Sequence, residues 1–266
     1  MTAPAGALPS LFVSHGAPNL IIDRSPAAEA MVALAASVPR PRAVLVISAH
    51  WETDQPTLTA AAAPETIHDF YGFPDALYRL HYPAPGDPAL AASIAARLRA
   101  AGIACALDSA RGLDHGAWVP LMLMYPKADL PVLQLSVQPG RSTRAHCDLG
   151  RALAPLRGDG ILVLASGGAT HNLRALAWRD RFGPPHDAVR EFAEWLNRAL
   201  GDGRIEDLLD YRAKAPAAAF NHPSEEHFLP LLVALGAAWP RLDARRVHAS
   251  FEFAGLAMDH YLFAAA

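Results

Sequence analysis

The chain has 266 residues, 52% hydrophobic and only 18% charged, which is ample material for a large core and too little charge for a disordered polypeptide. Its 23 basic and 26 acidic residues leave a net charge of −3 with no basic cluster, which excludes nucleic acid as the main partner. The two cysteines, Cys105 and Cys147, are too few for a disulfide framework. The opening Met1–Gly6 stretch lacks the features of a signal peptide and no run approaches a membrane span, so the expectation is a soluble cytoplasmic protein.

In chain order, short apolar runs predict strands over Leu8–Ser14, Ala43–Ala49, Ile103–Leu107, Val132–Val137, Ile161–Ser166 and Val247–Phe253. Several are continuous rather than alternating, as strands covered on both faces should be. Helical patterns fall near Pro26–Ser37, Asp87–Ala101, Thr143–Leu156 and His186–Leu200. No repeat or linker divides the chain, so the alternation predicts one α/β domain over residues 1–266, in three layers around a mixed, largely parallel sheet.

Twelve histidines are the unusual feature, and several stand where strands end. Strand-like runs finish in Ser14-His15-Gly16, Ser48-Ala49-His50-Trp51 and Ser166-Gly167-Gly168-Ala169-Thr170-His171-Asn172. Ligand sites of open α/β sheets collect at the carboxyl ends of strands, so three distant histidines could converge on one point. His15 and His115 each precede a glycine, and a turn hydrogen bond would account for either as well as a site would. His222 and His227 lie in a segment pinned by Pro223 and Pro230, which could aim one ligand inward. His227 is preferred there, with Glu225 or Glu226 in reserve, although both glutamates also fit a solvated turn. His68, His81, His146, His186, His248 and His260 have no comparable setting. His146 and His186 are expected at the surface, and His248 in a structural role.

Gly167-Gly168 lacks the lysine and spacing of a P-loop. The chain has no H-E-x-x-H, paired C-x-x-C or EF-hand loop, no nucleophile elbow and no dinucleotide fingerprint. What remains is a mononuclear, histidine-rich metal site at strand ends.

The segments Ser14-His15-Gly16-Ala17-Pro18, Ser48-Ala49-His50-Trp51, Leu113-Asp114-His115-Gly116-Ala117-Trp118, Gly168-Ala169-Thr170-His171-Asn172-Leu173 and His222-Pro223-Ser224-Glu225-Glu226-His227 resemble, in order, the DOPA 4,5-extradiol branch of the class III extradiol ring-cleavage dioxygenases. The resemblance implies a three-layer α/β/α catalytic domain. It implies one divalent metal held by His15, His50 and His227, with His171 as an acid–base residue close enough to be a fourth ligand. His115 would line the pocket of a catechol substrate that reacts with O2. A three-histidine set replaces the two-histidine, one-carboxylate site of the wider class, and imidazoles suit zinc as well as iron. Fe(II) is expected for dioxygenase activity, and a zinc-dependent hydrolase is the rival reading of the same donors. Trp51, Phe70, Tyr71, Phe73 and Trp118 are candidates to pack against the substrate ring, or core residues otherwise.

Overall fold

A computed structural model describes residues 6–240 and 242–264, so the stretch Met1–Ala5 read above for a leader lies outside the described residues. The strands are β1 (Ser10–Ser14), β2 (Ala43–Glu52), β3 (Thr57–Thr59), β4 (Ala106–Asp108), β5 (Val132–Val137), β6 (Ile161–Gly167), β7 (Ala244–His248) and β8 (His260–Phe263). They form one sheet in the order β4-β3-β5-β2-β6-β1-β8-β7. The four central strands β5, β2, β6 and β1 run parallel, β3 joins β5 antiparallel, and β8 joins β1 and β7 antiparallel. The sheet is therefore mixed and mainly parallel, as expected.

The continuous apolar runs are explained by cover on both faces. Leu11, Val13, Val44, Val46, Leu162 and Leu164 face one core with helices α1 (Pro26–Ser37) and α3 (His115–Met124). Their neighbours Phe12, Leu45, Ile47, Val163 and Ala165 face a second core. Helices α2 (Pro88–Ala100), α4 (Thr143–Leu153), α5 (Asp187–Gly201) and α6 (Leu229–Ala237) cover that side. Side chains alternate across a strand, so the two cores make three layers.

Helix starts follow capping chemistry. Ser25, Asp87, Asp114 and Ser142 each accept a backbone N–H from the first turn of α1, α2, α3 and α4. Pro26 and Pro88 occupy first-turn positions where a missing N–H costs nothing.

Several sequence expectations need correction. The run Val247–Phe253 is not one strand: β7 stops at His248, and Phe251–Glu252 pairs instead with Leu256–Ala257. Phe253 and Ala254, at φ of 53° and 59°, turn that small ladder. The Thr143–Leu156 helix tightens into a 3₁₀ turn from Ala154. The short strand β3, the strand β8 and helices α3 and α6 were not anticipated as such. Among the described residues no helix is long and apolar enough to cross a membrane.

Candidate metal centre

Each histidine in question is delivered by a different element at the carboxyl end of the central strands. His15 directly follows β1, and Gly16 at φ 62° turns the chain away behind it. His50 lies near the end of β2, and His115 opens α3. His171 follows β6 by four residues, its backbone N–H donating to the Asn221 carbonyl at 2.8 Å. His227 sits in the turn before α6, pressed against the end of β6: Gly168 N–H donates to its carbonyl at 3.0 Å. A Cβ on Gly167 would fall 2.2 Å from the same oxygen, so only glycine lets the segment approach this closely.

Three Nε2 atoms meet. His50 Nε2 is 3.0 Å from that of His15 and 3.3 Å from that of His227. Donor atoms of the three rings lie within 4.8 Å of one another. The outward nitrogens decide where the protons are. Ser166 Oγ–H donates to the Gly116 carbonyl, so its oxygen accepts from His15 Nδ1–H at 2.9 Å. Glu226 can only accept, so it takes the His227 Nδ1–H at 2.9 Å. Both rings therefore present bare Nε2 lone pairs to the same small volume.

A single hydrogen on His50 Nε2 could satisfy only one of those lone pairs. A divalent cation satisfies all three, and separations of 3.0–3.3 Å suit nitrogens about 2.0–2.1 Å from a shared ion. Electrostatics agree. Burial, then the neighbouring histidines, holds His15 and His227 well below the ordinary histidine range, and burial pushes His50 down to about 3. Neutral imidazoles are the form that ligates. The residues fit one mononuclear metal.

The other site residues are arranged around this centre. His115 stacks obliquely near His50, ring centroids 3.9 Å apart, and His171 lies flat on His227 at 3.3 Å and 8°. His171 falls outside the three-histidine donor group and instead neighbours Glu226 and His227. His15, His50, His115 and His171 line a cavity of about 330 Å³ whose apolar walls include Phe70, Tyr71, Phe73, Leu173 and Trp178.

Trp51 and Trp118 do not line it. Trp118 is fully buried and donates Nε1–H to the Ile67 carbonyl at 2.9 Å, and Trp51 lies under the Arg111 guanidinium. Glu226 is not a solvated turn residue, since it holds His227. Glu225 accepts from the Tyr211 hydroxyl at 3.0 Å. His146 is buried rather than exposed, accepting the Gln138 backbone N–H at 3.1 Å. His222 is also buried and bonds the Ala169 carbonyl through Nε2 at 3.0 Å.

Beneath the site, the buried carboxylate of Asp114 accepts the Ser48 hydroxyl at 2.7 Å, and Ser48 Oγ in turn accepts His50 N–H at 3.2 Å. Asp69 was missed altogether. It lies on an irregular segment, 3.0 Å from His115 Nδ1 and 3.7 Å from His50 Nδ1. Nothing periodic marks it in the sequence.

These buried histidines are expected to make the metal-free protein less stable in acid. Burial lowers His15 and His227 well below 6.5, His50 and His222 to about 3, and His171 and His260 to about 4. As pH falls below about 6.5 the unfolded chain takes up protons that the folded chain refuses, so stability falls with pH until the native values are reached. All six groups act in the same direction, so the loss grows as pH falls through that window. Urea midpoints measured from pH 7.5 downward should fall steeply below pH 6.5. A flat profile to pH 5 would contradict the neutral, buried state of these rings.

Comparison with known proteins adds to this geometry. The family described as "Catalytic LigB subunit of aromatic ring-opening dioxygenase" matches residues 23–263. A protein of Beta vulgaris named "4,5-DOPA dioxygenase extradiol" is 44% identical over 262 residues, 96% of either chain. One of the same name from Escherichia coli (strain K12) is 42% identical over 234 residues, 86% of this chain and 85% of that one. The crystal structure of an uncharacterized protein from Escherichia coli K12 superposes with a TM-score of 0.81 at 34% identity, covering 97% of this chain and all of that one. The chain belongs to the LigB family of class III extradiol, aromatic ring-opening dioxygenases.

Proposed function

We propose that this chain opens the ring of a DOPA-like catechol with O2, as a single catalytic domain working in the cytoplasm. His15, His50 and His227 hold the metal, His171 is the acid–base residue and His115 a pocket residue facing the substrate. The observation that carries the reading is the convergence of three Nε2 atoms, two of them with bare lone pairs, beside an aromatic-walled cavity that His15 and His50 line. Fe(II) bound there supplies the redox path between a catecholate and O2 that hydrolytic zinc does not.

The protein's own part is to orient and to move protons. Phe70 and Phe73 give the ring an apolar wall, and the neutral His171, at about 4 through burial, is a proton acceptor at pH 7. Stacking speaks against His171 as a fourth ligand. His171 lies parallel on His227 with ring centroids 3.3 Å apart and stands outside the three-histidine donor group, so His15, His50 and His227 would hold the metal and His171 would move the proton. Buried free Cys105 and Cys147 fit a reducing compartment.

The test is anaerobic loading with Fe(II), then oxygen uptake and product absorbance across a catechol panel that includes DOPA. One O2 consumed per ring opened is expected. Ester or amide hydrolysis by the zinc-loaded protein, with no oxygen uptake by the iron-loaded one, would replace this reading with the hydrolase.

A further inference from the structure

We propose that Asp69 is the positioning residue of His115, holding its imidazole, which lines the cavity, as the Nδ1–H tautomer with Nε2 bare. One carboxylate oxygen, Oδ1, lies 2.9 Å from the His115 backbone nitrogen, which donates to it, and 3.0 Å from Nδ1 of the same residue. The Nδ1 contact is a close approach rather than an in-line hydrogen bond, but a lone pair on Nδ1 would face the carboxylate's own lone pairs at 3.0 Å, so the ring hydrogen belongs on Nδ1. The backbone contact also satisfies one of the orphan N–H groups at the start of α3, so ring and helix end are fixed by the same atom.

His115 is buried, with the His50 ring 3.9 Å away on one side and Phe70 edge-on at 5.7 Å on another, so the ring has little room to turn over. With the hydrogen on Nδ1 beside Asp69, Nε2 is left as the acceptor of a ring that lines the cavity. A ring in the opposite tautomer would present a donor there. Asp69 therefore sets what His115 offers a bound phenol without touching the substrate itself.

His50, Asp69 and His115 also bring three donor atoms within 4.8 Å, a two-histidine, one-carboxylate set. Asp69 Oδ1 is already engaged by His115, and His50 Nε2 is turned to His15 and His227, so positioning is the better account. Metal content separates the two.

The experiment compares wild type with Asp69→Asn, Asp69→Ala, His115→Ala and the Asp69→Ala/His115→Ala double variant. Nitrogen-15 spectra of histidine-labelled, zinc-loaded protein report the tautomer. Wild-type His115 should carry its hydrogen on Nδ1, and Asp69→Ala should shift it to Nε2 or average the two. Zinc content should stay stoichiometric in both Asp69 variants. In the iron-loaded enzyme kcat should fall about 10–100-fold with KM within about threefold, and the double variant should be no slower than His115→Ala, because Asp69 acts through that ring.

Loss of zinc from Asp69→Ala would make Asp69 a ligand, and an Nε2–H wild-type ring or additive rate losses would equally overturn the proposal. The kinetic arm rests on the ring-opening reading. A wild type that opens no catechol would sink that reading alone, while the zinc and tautomer arms still decide Asp69.

Discussion

Changing His15 or His50 to Ala is expected to give a folded protein that binds neither iron nor zinc stoichiometrically and opens no catechol. The argument is one of donor count. Three Nε2 atoms meet, and removing one leaves two nitrogens and water around the ion. Disturbing groups that merely support ligands typically costs about 10–100-fold in affinity or activity, so losing a ligand itself should exceed that. His15 is also the ring whose proton position is fixed by Ser166, so its replacement removes a donor already prepared for the metal. His115→Ala is the control: its ring lies outside the three-histidine group, so metal should remain while turnover or substrate binding weakens. Metal content by atomic emission on the same preparations decides the matter. Stoichiometric metal in the His15→Ala protein would contradict the division of roles.

The parts of the site legible in sequence were those tied to strand ends. Continuous apolar runs mark β1, β2, β5 and β6, because strands covered on both faces are apolar at successive positions. The histidines at or shortly after the ends of three of those strands then share an address. Orientation was not legible. Nothing in Glu225-Glu226-His227 says that Glu226 turns inward to hold the ring while Glu225 turns to Tyr211, since that choice is made by tertiary packing.

Other failures have similar causes. Helix α6 is buried along its whole length, and α3 nearly so, which removes the 3.6-residue polar rhythm by which a helix is recognised. Pro120 inside α3 also argues against a helix on local grounds. The strand β3 has three residues, too few for any period, and is held by its pairing with β4 and β5. Asp69 belongs to a long irregular connection, and its meaning comes only from His115, 46 residues away. The pocket wall shows the same limit. Leu173 and Trp178 lie in a loop with no pattern to mark them as pocket walls, whereas Trp118 has the chemistry of a wall and is a core residue.

His171→Gln in the Fe(II) protein is expected to keep most of its metal and its catechol affinity while losing about 10²–10⁴-fold in ring-opening rate, the usual contribution of a positioned acid–base group. Glutamine preserves a flat polar side chain that can lie on His227 and leaves the backbone bond to Asn221 untouched, so the fold of the Gly167–Thr170 turn should survive. What it removes is a nitrogen able to take and return a proton. Burial keeps that nitrogen neutral at pH 7, with its proton affinity down at about 4 and Glu226 partly opposing the shift, so the native ring meets an arriving phenol as an acceptor. Metal content, anaerobic catechol binding and single-turnover rate should be read on one preparation. Retained metal with a collapsed rate supports proton transfer. Metal lost together with the rate would show that His171 ligates despite the parallel stack, and the proton would then have to pass through His115 or water. An unchanged rate would remove His171 from the chemistry altogether and leave the stack on His227 as its whole role.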